Sequence, residues 1–149
     1  MDDQIFKLDP RLEESTAVVG HLPLSVVLLA LDANYPWCIL VPKRASIIEL
    51  HHLADEDRQQ YAKESGYISE VMAGLFSADK INMAALGNMV PQLHIHHIAR
   101  FKDDAAWPNP IWGAVAATEY DAEELSSRIS RLRSALACDF FTASDQVYL

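Results

Sequence analysis

Val90-Pro91-Gln92-Leu93-His94-Ile95-His96-His97-Ile98-Ala99-Arg100 is the stretch on which the reading of this chain turns. From Pro91 to Arg100 the residue types alternate with the period of a strand. One face carries Gln92, His94, His96, Ile98 and Arg100, and the other carries Leu93, Ile95, His97 and Ala99. Side chains two apart on a strand stand about 7 Å from each other. Two imidazoles and a carboxamide therefore line up as along the wall of a pocket. The bland alternative is three histidines scattered on a half-exposed strand. Polar groups at i, i+2 and i+4, flanked by leucine and isoleucine, favour the pocket. His97 points the other way, into core packing with a satisfied hydrogen bond.

Outward from this strand the chain reads as short apolar runs broken by turn residues. Lys80 to Leu86 is a strand, and Gly87-Asn88 is a tight hairpin turn that returns the histidine strand beside it. Leu24 to Leu31 is almost continuously apolar, which places it centrally, covered on both faces. Val18 to His21 precedes it across Leu22-Pro23, and Trp37 to Val41 follows the turn cluster Asp32-Ala33-Asn34-Tyr35-Pro36 and closes at Pro42. Asp55 caps a helix to about Phe76, with Tyr61, Ser65, Ile68, Met72 and Leu75 on its apolar stripe. His51 and His52, in the connector before it, read as surface residues.

Residues 1–16 read as an arm and a helical turn begun by Asp9-Pro10. Asp121 opens a last helix, to about residue 137, with Leu125, Ile129, Leu132 and Leu136 inward and Arg128, Arg131 and Arg133 on a solvated face. Two tryptophans bracket two prolines in Trp107-Pro108-Asn109-Pro110-Ile111-Trp112. This loop is either a cover over exposed core or a lid or subunit contact beside the pocket. Strands at 18–21, 24–31, 37–42, 80–86 and 92–100 around one long helix predict an α+β domain with an antiparallel sheet.

The 149 residues suffice for one domain with a real core. Lys+Arg 12 against Asp+Glu 21 leaves a formal charge of −9, which argues against long nucleic acid but not against a small nucleotide held by local donors. Cys38 and Cys138 make no disulfide framework. Met1-Asp2-Asp3-Gln4 lacks the basic start of a leader, and the apolar run Val26 to Leu31 is too short to span a bilayer. The expectation is a cytoplasmic protein with no membrane association.

The histidine strand resembles the histidine-triad (HIT) motif, His-φ-His-φ-His-φ-φ with φ hydrophobic, in a bacterial-type HIT domain. Gln92 stands in place of the first triad histidine, His97 replaces a hydrophobe, and the family's nucleophile falls on His94 with the third histidine on His96. Pro36-Trp37-Cys38-Ile39-Leu40-Val41-Pro42-Lys43 resembles the family's Pro-Gly-His-φ-Leu-φ-φ-Pro-Lys strand at the right distance upstream. The resemblance covers Leu24 to Gly113. It implies a HIT-like fold: an antiparallel sheet of about five strands, one long helix and a C-terminal helix. The single HIT domain would occupy residues 1–149, with its core at about 18–113.

The resemblance also implies a nucleotide hydrolase or transferase that cleaves a nucleoside phosphoramidate or dinucleoside polyphosphate through a nucleotidyl-histidine on His94. His96 would bond the phosphate oxygens. Gln92 keeps a donor and an acceptor but cannot titrate. Asp32 is the candidate for the ribose hydroxyls, with turn chemistry as its alternative, and Asn88 is the candidate for the phosphates. Some HIT proteins place a Trp-Pro segment after the histidine strand, where it reaches the partner subunit's site; Trp107 is the candidate here. No cofactor is expected.

Two rival readings stand beside this one. The first is a nucleotide-binding HIT domain with little turnover that acts through partners. The second is a metal site at His94 and His96, which needs further ligands that His21, His51, His52 and Cys38 do not supply at ligand spacing. The resemblance further implies a homodimer with adjoining sheets, which would cover strand edges. Sedimentation at micromolar concentration should return about twice the 16.7 kDa chain mass, and a monomer across that range would remove the expectation.

Overall fold

The computed structural model describes residues 5–149; the Met1-Asp2-Asp3-Gln4 segment lies outside the described residues. Strands β1 (Thr16–His21), β2 (Ser25–Ala30), β3 (Trp37–Pro42), β4 (Lys80–Ala84), β5 (Ile95–Arg100) and β6 (Thr142–Ala143) make one sheet in the order β4-β5-β3-β2-β1-β6. Every pairing is antiparallel. Helices α1 (Pro10–Glu14), α2 (Asp55–Phe76) and α3 (Ala122–Leu136) complete an α+β, HIT-like fold. The expected strands are all present, and the short β6 adds a sixth.

All six residues of β2 are buried, in keeping with its nearly continuous apolar composition. Alternate side chains go to opposite layers. Val27 and Leu29 join Cys38 and Leu40 of β3 against Ile68 and Met72 of α2 and Leu132 and Leu136 of α3. Val26 and Leu28 join Ile39 and Val41 under an N-terminal arm that contributes Leu8 and Leu12, with Val147 of the C-terminal segment. Burying each such Val, Leu or Ile side chain contributes about 1.5–3 kcal/mol. Both large helices thus pack on one face, and the other is shared by the arm and the site.

Local chemistry sets the element ends. Asp9 accepts from the Arg11 amide at 2.9 Å with Pro10 at the first helical position, and Asp121 accepts from Glu124 N at 2.8 Å. Asp55 is the first residue of α2 and not its cap; Ala54 holds that position, and Asp55 pairs with Arg58 one turn on. Glu64 on α2 is buried, and its carboxylate accepts from Leu24 N at 2.7 Å, Ser25 N at 3.0 Å and Gln60 Nε2 at 2.8 Å. It thereby ties the β1–β2 turn to the helix.

Arg133 does not belong to a solvated face. Its guanidinium donates to the carbonyls of Val19 (2.9 Å), Val18 (3.2 Å) and Ser144 (2.9 Å), bringing the C-terminal segment to the edge of β1. Gly20 permits this approach: a Cβ there would lie 2.4 Å from the Thr142 carbonyl oxygen.

The tight hairpin expected at Gly87-Asn88 is not formed. β4 ends at Ala84, β5 begins at Ile95, and residues 85–94 make a long loop. Pro91 has no amide to give a ladder, and Leu93 N donates to Ile47 O at 2.9 Å, so that segment pairs away from β4. Gln92, Leu93 and His94 consequently precede the strand.

At the other end of β5, the Arg100 side chain is buried. It donates to Asp104 (2.7 and 3.0 Å), Asn82 Oδ1 (2.7 Å) and the Asn109 carbonyl (2.9 Å). Arg100 holds the Asp104 carboxyl well below the usual carboxylate range, helped by amides of Phe101, Ala106 and Trp107. The pair is 1% and 4% exposed, so removing one partner strands a buried charge. Asp104→Ala should cost about 3–5 kcal/mol in urea unfolding at neutral pH. Because the folded-state pKa is depressed, the contribution is complete above the usual carboxylate range and is lost as pH falls through and below it. The gap between variant and wild type should therefore narrow in acid.

Candidate active site

His94 sits immediately before β5, and His96 is its second residue. Their ring centroids are 4.9 Å apart. His94 Nδ1 lies 2.7 Å from the Gln92 carbonyl. A carbonyl only accepts, so Nδ1 carries the proton, and in the neutral ring the lone pair is on Nε2. His96 is bonded in the opposite sense. Ile39 of β3 pairs with His96 and Trp37 with Ile98, so the indole stands diagonally beside the imidazole on one sheet face. Trp37 Nε1 donates to His96 Nδ1 at 2.9 Å. An indole N–H only donates, so Nδ1 is bare and the His96 proton is on Nε2. Burial, and then the neighbouring His94 and His97, push the His96 pKa down to about 3, so the ring is neutral near pH 7.

Both histidines line a cleft of about 570 Å3, within the usual range for small-molecule sites. Its walls include Leu31, Asp32 and Trp37 from the sheet side, Asn88 and Met89 from the 85–94 loop, and Trp112 from the loop after β5. A larger groove, about 1110 Å3, runs between α3, β1 and the C-terminal segment, but no histidine or cysteine lines it. His94 and His96 belong to the smaller cleft. Among the described residues no group of three or more His, Cys, Asp or Glu side chains is arranged to hold a metal ion. No helix among them is long and apolar enough to cross a membrane.

The cleft brings His94, His96, Asp32 and Asn88 together but not Gln92 or Trp107. The Gln92 carboxamide turns to the N-terminal arm, accepting from Asp9 N and donating to Lys7 O, both at 2.8 Å. Arg11 of the same arm donates to Met89 O at 2.8 Å, so the arm clamps the histidine loop at two points. Gln92 reaches the site through its main-chain carbonyl. Asp32 lines the cleft while its Oδ1 accepts from Asn34 N (3.0 Å) and Thr118 N (3.2 Å), which is the turn chemistry expected as its alternative role.

Trp107 lies over the Arg100 guanidinium, 5.7 Å from its ring centroid. Of the two loop tryptophans Trp112 is the one that meets the site, 5.1 Å from His96 and 6.1 Å from Trp37. Neither Trp37 nor Trp112 stands out in the sequence as a partner of His96. Alternation puts Trp37 on one face with Ile39 and Val41, yet only the β3–β5 register shows which imidazole it meets. His97 faces the helices instead, its Nε2 2.8 Å from Ser65 Oγ and its Nδ1 donating to the Ile95 carbonyl at 3.1 Å. Burial takes its pKa down to about 4.

The sequence profile of the HIT domain matches residues 11–103, more than half of the chain. This chain belongs to the histidine triad family. Its fold is similar to those of three crystal structures of histidine triad proteins. The one from Bradyrhizobium japonicum is 44% identical, with a TM-score of 0.87 over 89% of this chain and 99% of that one. For the protein from Marinobacter aquaeolei VT8 the figures are 45%, 0.86, 89% and 96%. For the protein from Sinorhizobium meliloti 1021 they are 38%, 0.85, 87% and 96%. Comparison with curated protein sequences returned no match.

The placement of the tryptophans in this HIT protein is open to a direct check. Saturating AMP or GMP should change tryptophan fluorescence, Trp112→Phe should remove most of that change, and Trp107→Phe should leave it nearly intact. If nucleotide binds by calorimetry but the Trp107 variant loses the signal, the two residues have been assigned the wrong way round.

Proposed function

We propose that this HIT protein is a nucleotide hydrolase or transferase that cleaves a nucleoside phosphoramidate or dinucleoside polyphosphate through a nucleotidyl-histidine on His94. In this reading Gln92 stands at the first position of the triad motif, and residues 1–149 act as one HIT domain in a cytoplasmic homodimer. The observation that carries the proposal is the opposite hydrogen bonding of two adjacent imidazoles, one Nδ1 facing a carbonyl and the other an indole N–H. His94 offers a lone pair on Nε2 because its other nitrogen is bonded to the Gln92 carbonyl. His96 offers an N–H because its other nitrogen is occupied by Trp37. One group can attack phosphorus while the other meets the charge on oxygen.

In the first step the His94 Nε2 lone pair forms a bond to phosphorus. The bond to the leaving group breaks, and its electron pair departs with that group, which takes a proton from solvent. His94, now carrying the nucleotidyl group, is cationic, and its Nδ1–H stays on the Gln92 carbonyl. Water then attacks phosphorus, the electron pair of the phosphorus–nitrogen bond returns to His94, and the proton of the attacking water is released. Asp32 would hold the ribose hydroxyls. Asn88 would donate to phosphate oxygens, and Trp112, in the place expected for Trp107, would cover the nucleotide.

His94→Ala should abolish turnover of an adenosine phosphoramidate or dinucleoside polyphosphate. His96→Ala should lower kcat about 10²–10³-fold, as loss of one donor to developing charge does. Acid-quenched single-turnover mixtures, analysed quickly by mass spectrometry, should carry a phosphorus–nitrogen adduct on His94. Wild-type activity in His94→Ala, or an adduct mapped to His96 or His97, would overturn the assignment. Tight nucleotide binding with no turnover of either substrate class would support the nucleotide-binding domain that acts through partners.

A further inference from the structure

We infer that Trp37 is a positioning residue: its indole N–H locks His96 as the neutral Nε2–H tautomer, so that His96 can give a hydrogen bond but not a proton. The inference deepens the proposed function, yet its central claim concerns the resting protein. Three features carry it. The Trp37 Nε1–His96 Nδ1 separation is 2.9 Å, and the donor has no alternative role. The His96 ring is held on two further sides, with the Trp37 ring centroid 5.5 Å away and that of Trp112 5.1 Å away. The ring is buried, which opposes a charged form.

Among the described residues no carboxylate offsets that burial. On its own segment His96 faces His94, and the reverse face of β5 carries His97. Among the described residues Asp32 is the single formally charged side chain lining the cleft, and its Oδ1 is bonded to the Asn34 and Thr118 amides. In the arm, Asp9 and Arg11 pair with each other. The depressed pKa of His96 agrees with this environment. A neutral imidazole with its second nitrogen occupied is too weak an acid to protonate a leaving group near pH 7. His96 is therefore left with the phosphoryl oxygens, and the proton for the leaving group comes from solvent.

The test begins without substrate. Long-range 1H–15N correlation spectra of histidine-labelled protein should show His96 with a bare Nδ1 and a protonated Nε2, unchanged across roughly pH 5–8. In Trp37→Phe, which keeps the aromatic body and removes the donor, the two nitrogens should exchange roles or average, and the titration should move toward that window. A wild-type His96 protonated on Nδ1, or titrating inside the window, would overturn the inference. So would a folded Trp37→Phe protein with unaltered His96 signals. Wild-type spectra suffice for the first two outcomes even if the variant does not fold.

With an adenosine 5′-phosphoramidate as probe, Trp37→Phe should lower kcat about tenfold with little change in KM, as loss of about one hydrogen bond's worth of positioning would. It should also add a pH-dependent limb to the kcat profile. In a His96→Ala background the same change should add nothing, because Trp37 acts only through His96. A further tenfold loss there would make Trp37 a merely structural residue and overturn the inference. Absence of turnover in the wild type would sink the hydrolase reading and leave the tautomer to be decided by the spectra.

Discussion

Strand β5 is buried along its whole length and yet carries His96, His97 and Arg100. A polar group taken out of water without a hydrogen bond costs several kcal/mol, and an unpaired charge costs more. Each of the three must therefore be met by a specific partner. The partners come from separate parts of the molecule: Trp37 on β3 for His96, Ser65 on α2 for His97, and Asp104, Asn82 and Asn109 for Arg100. One strand thus ties together the sheet, the helix layer and the loop that carries Trp112. Replacing these polar groups by hydrophobes of similar volume need not lower stability. What they set is the arrangement of the layers around the cleft.

The same constraint shapes the chemistry. A carbonyl can only accept and an indole N–H can only donate, so the bonds that satisfy His94 and His96 also decide where each proton resides. His94 is further steadied at a distance, because the arm holds Gln92 by its carboxamide and Met89 by Arg11. Lys7, Asp9 and Arg11 thereby steady His94 without lining the cleft, which Leu12 of the same arm does line. Helices α2 and α3 cover the face opposite the site, and Cys38, buried among them with its pKa pushed up to about 12, is inert there.

The architecture was largely legible before any coordinates. The nearly continuous apolar run of β2, the period-two pattern of β5 and the 3.6-residue stripe of α2 each reflect a burial requirement that acts residue by residue. Such requirements leave a local signature, so the α+β class and the facing of His94 and His96 away from His97 followed from spacing alone. The exceptions are cases in which a hydrogen-bond donor found a partner far away. Leu93 N goes to Ile47 O, and the expected hairpin opens into the 85–94 loop; Arg133 goes to the carbonyls of Val18, Val19 and Ser144, and a surface arginine becomes an anchor.

For the site the division has the same physical origin. The sequence by itself determined that two imidazoles share a face, because alternation is a property of neighbouring residues. It also placed Asp32 at a turn and Asn88 just ahead of that strand; both line the cleft, although the hairpin expected at Gly87-Asn88 is instead a long loop. Only the tertiary structure decided which nitrogen of each ring is occupied, that Gln92 turns to the arm, and that Trp112 and not Trp107 meets the cleft. Those outcomes depend on the β3–β5 register, on contacts between residues about 60 to 85 positions apart, and on a buried arginine claiming one of two tryptophans. A one-dimensional pattern records the direction of a side chain; its partner is a property of packing.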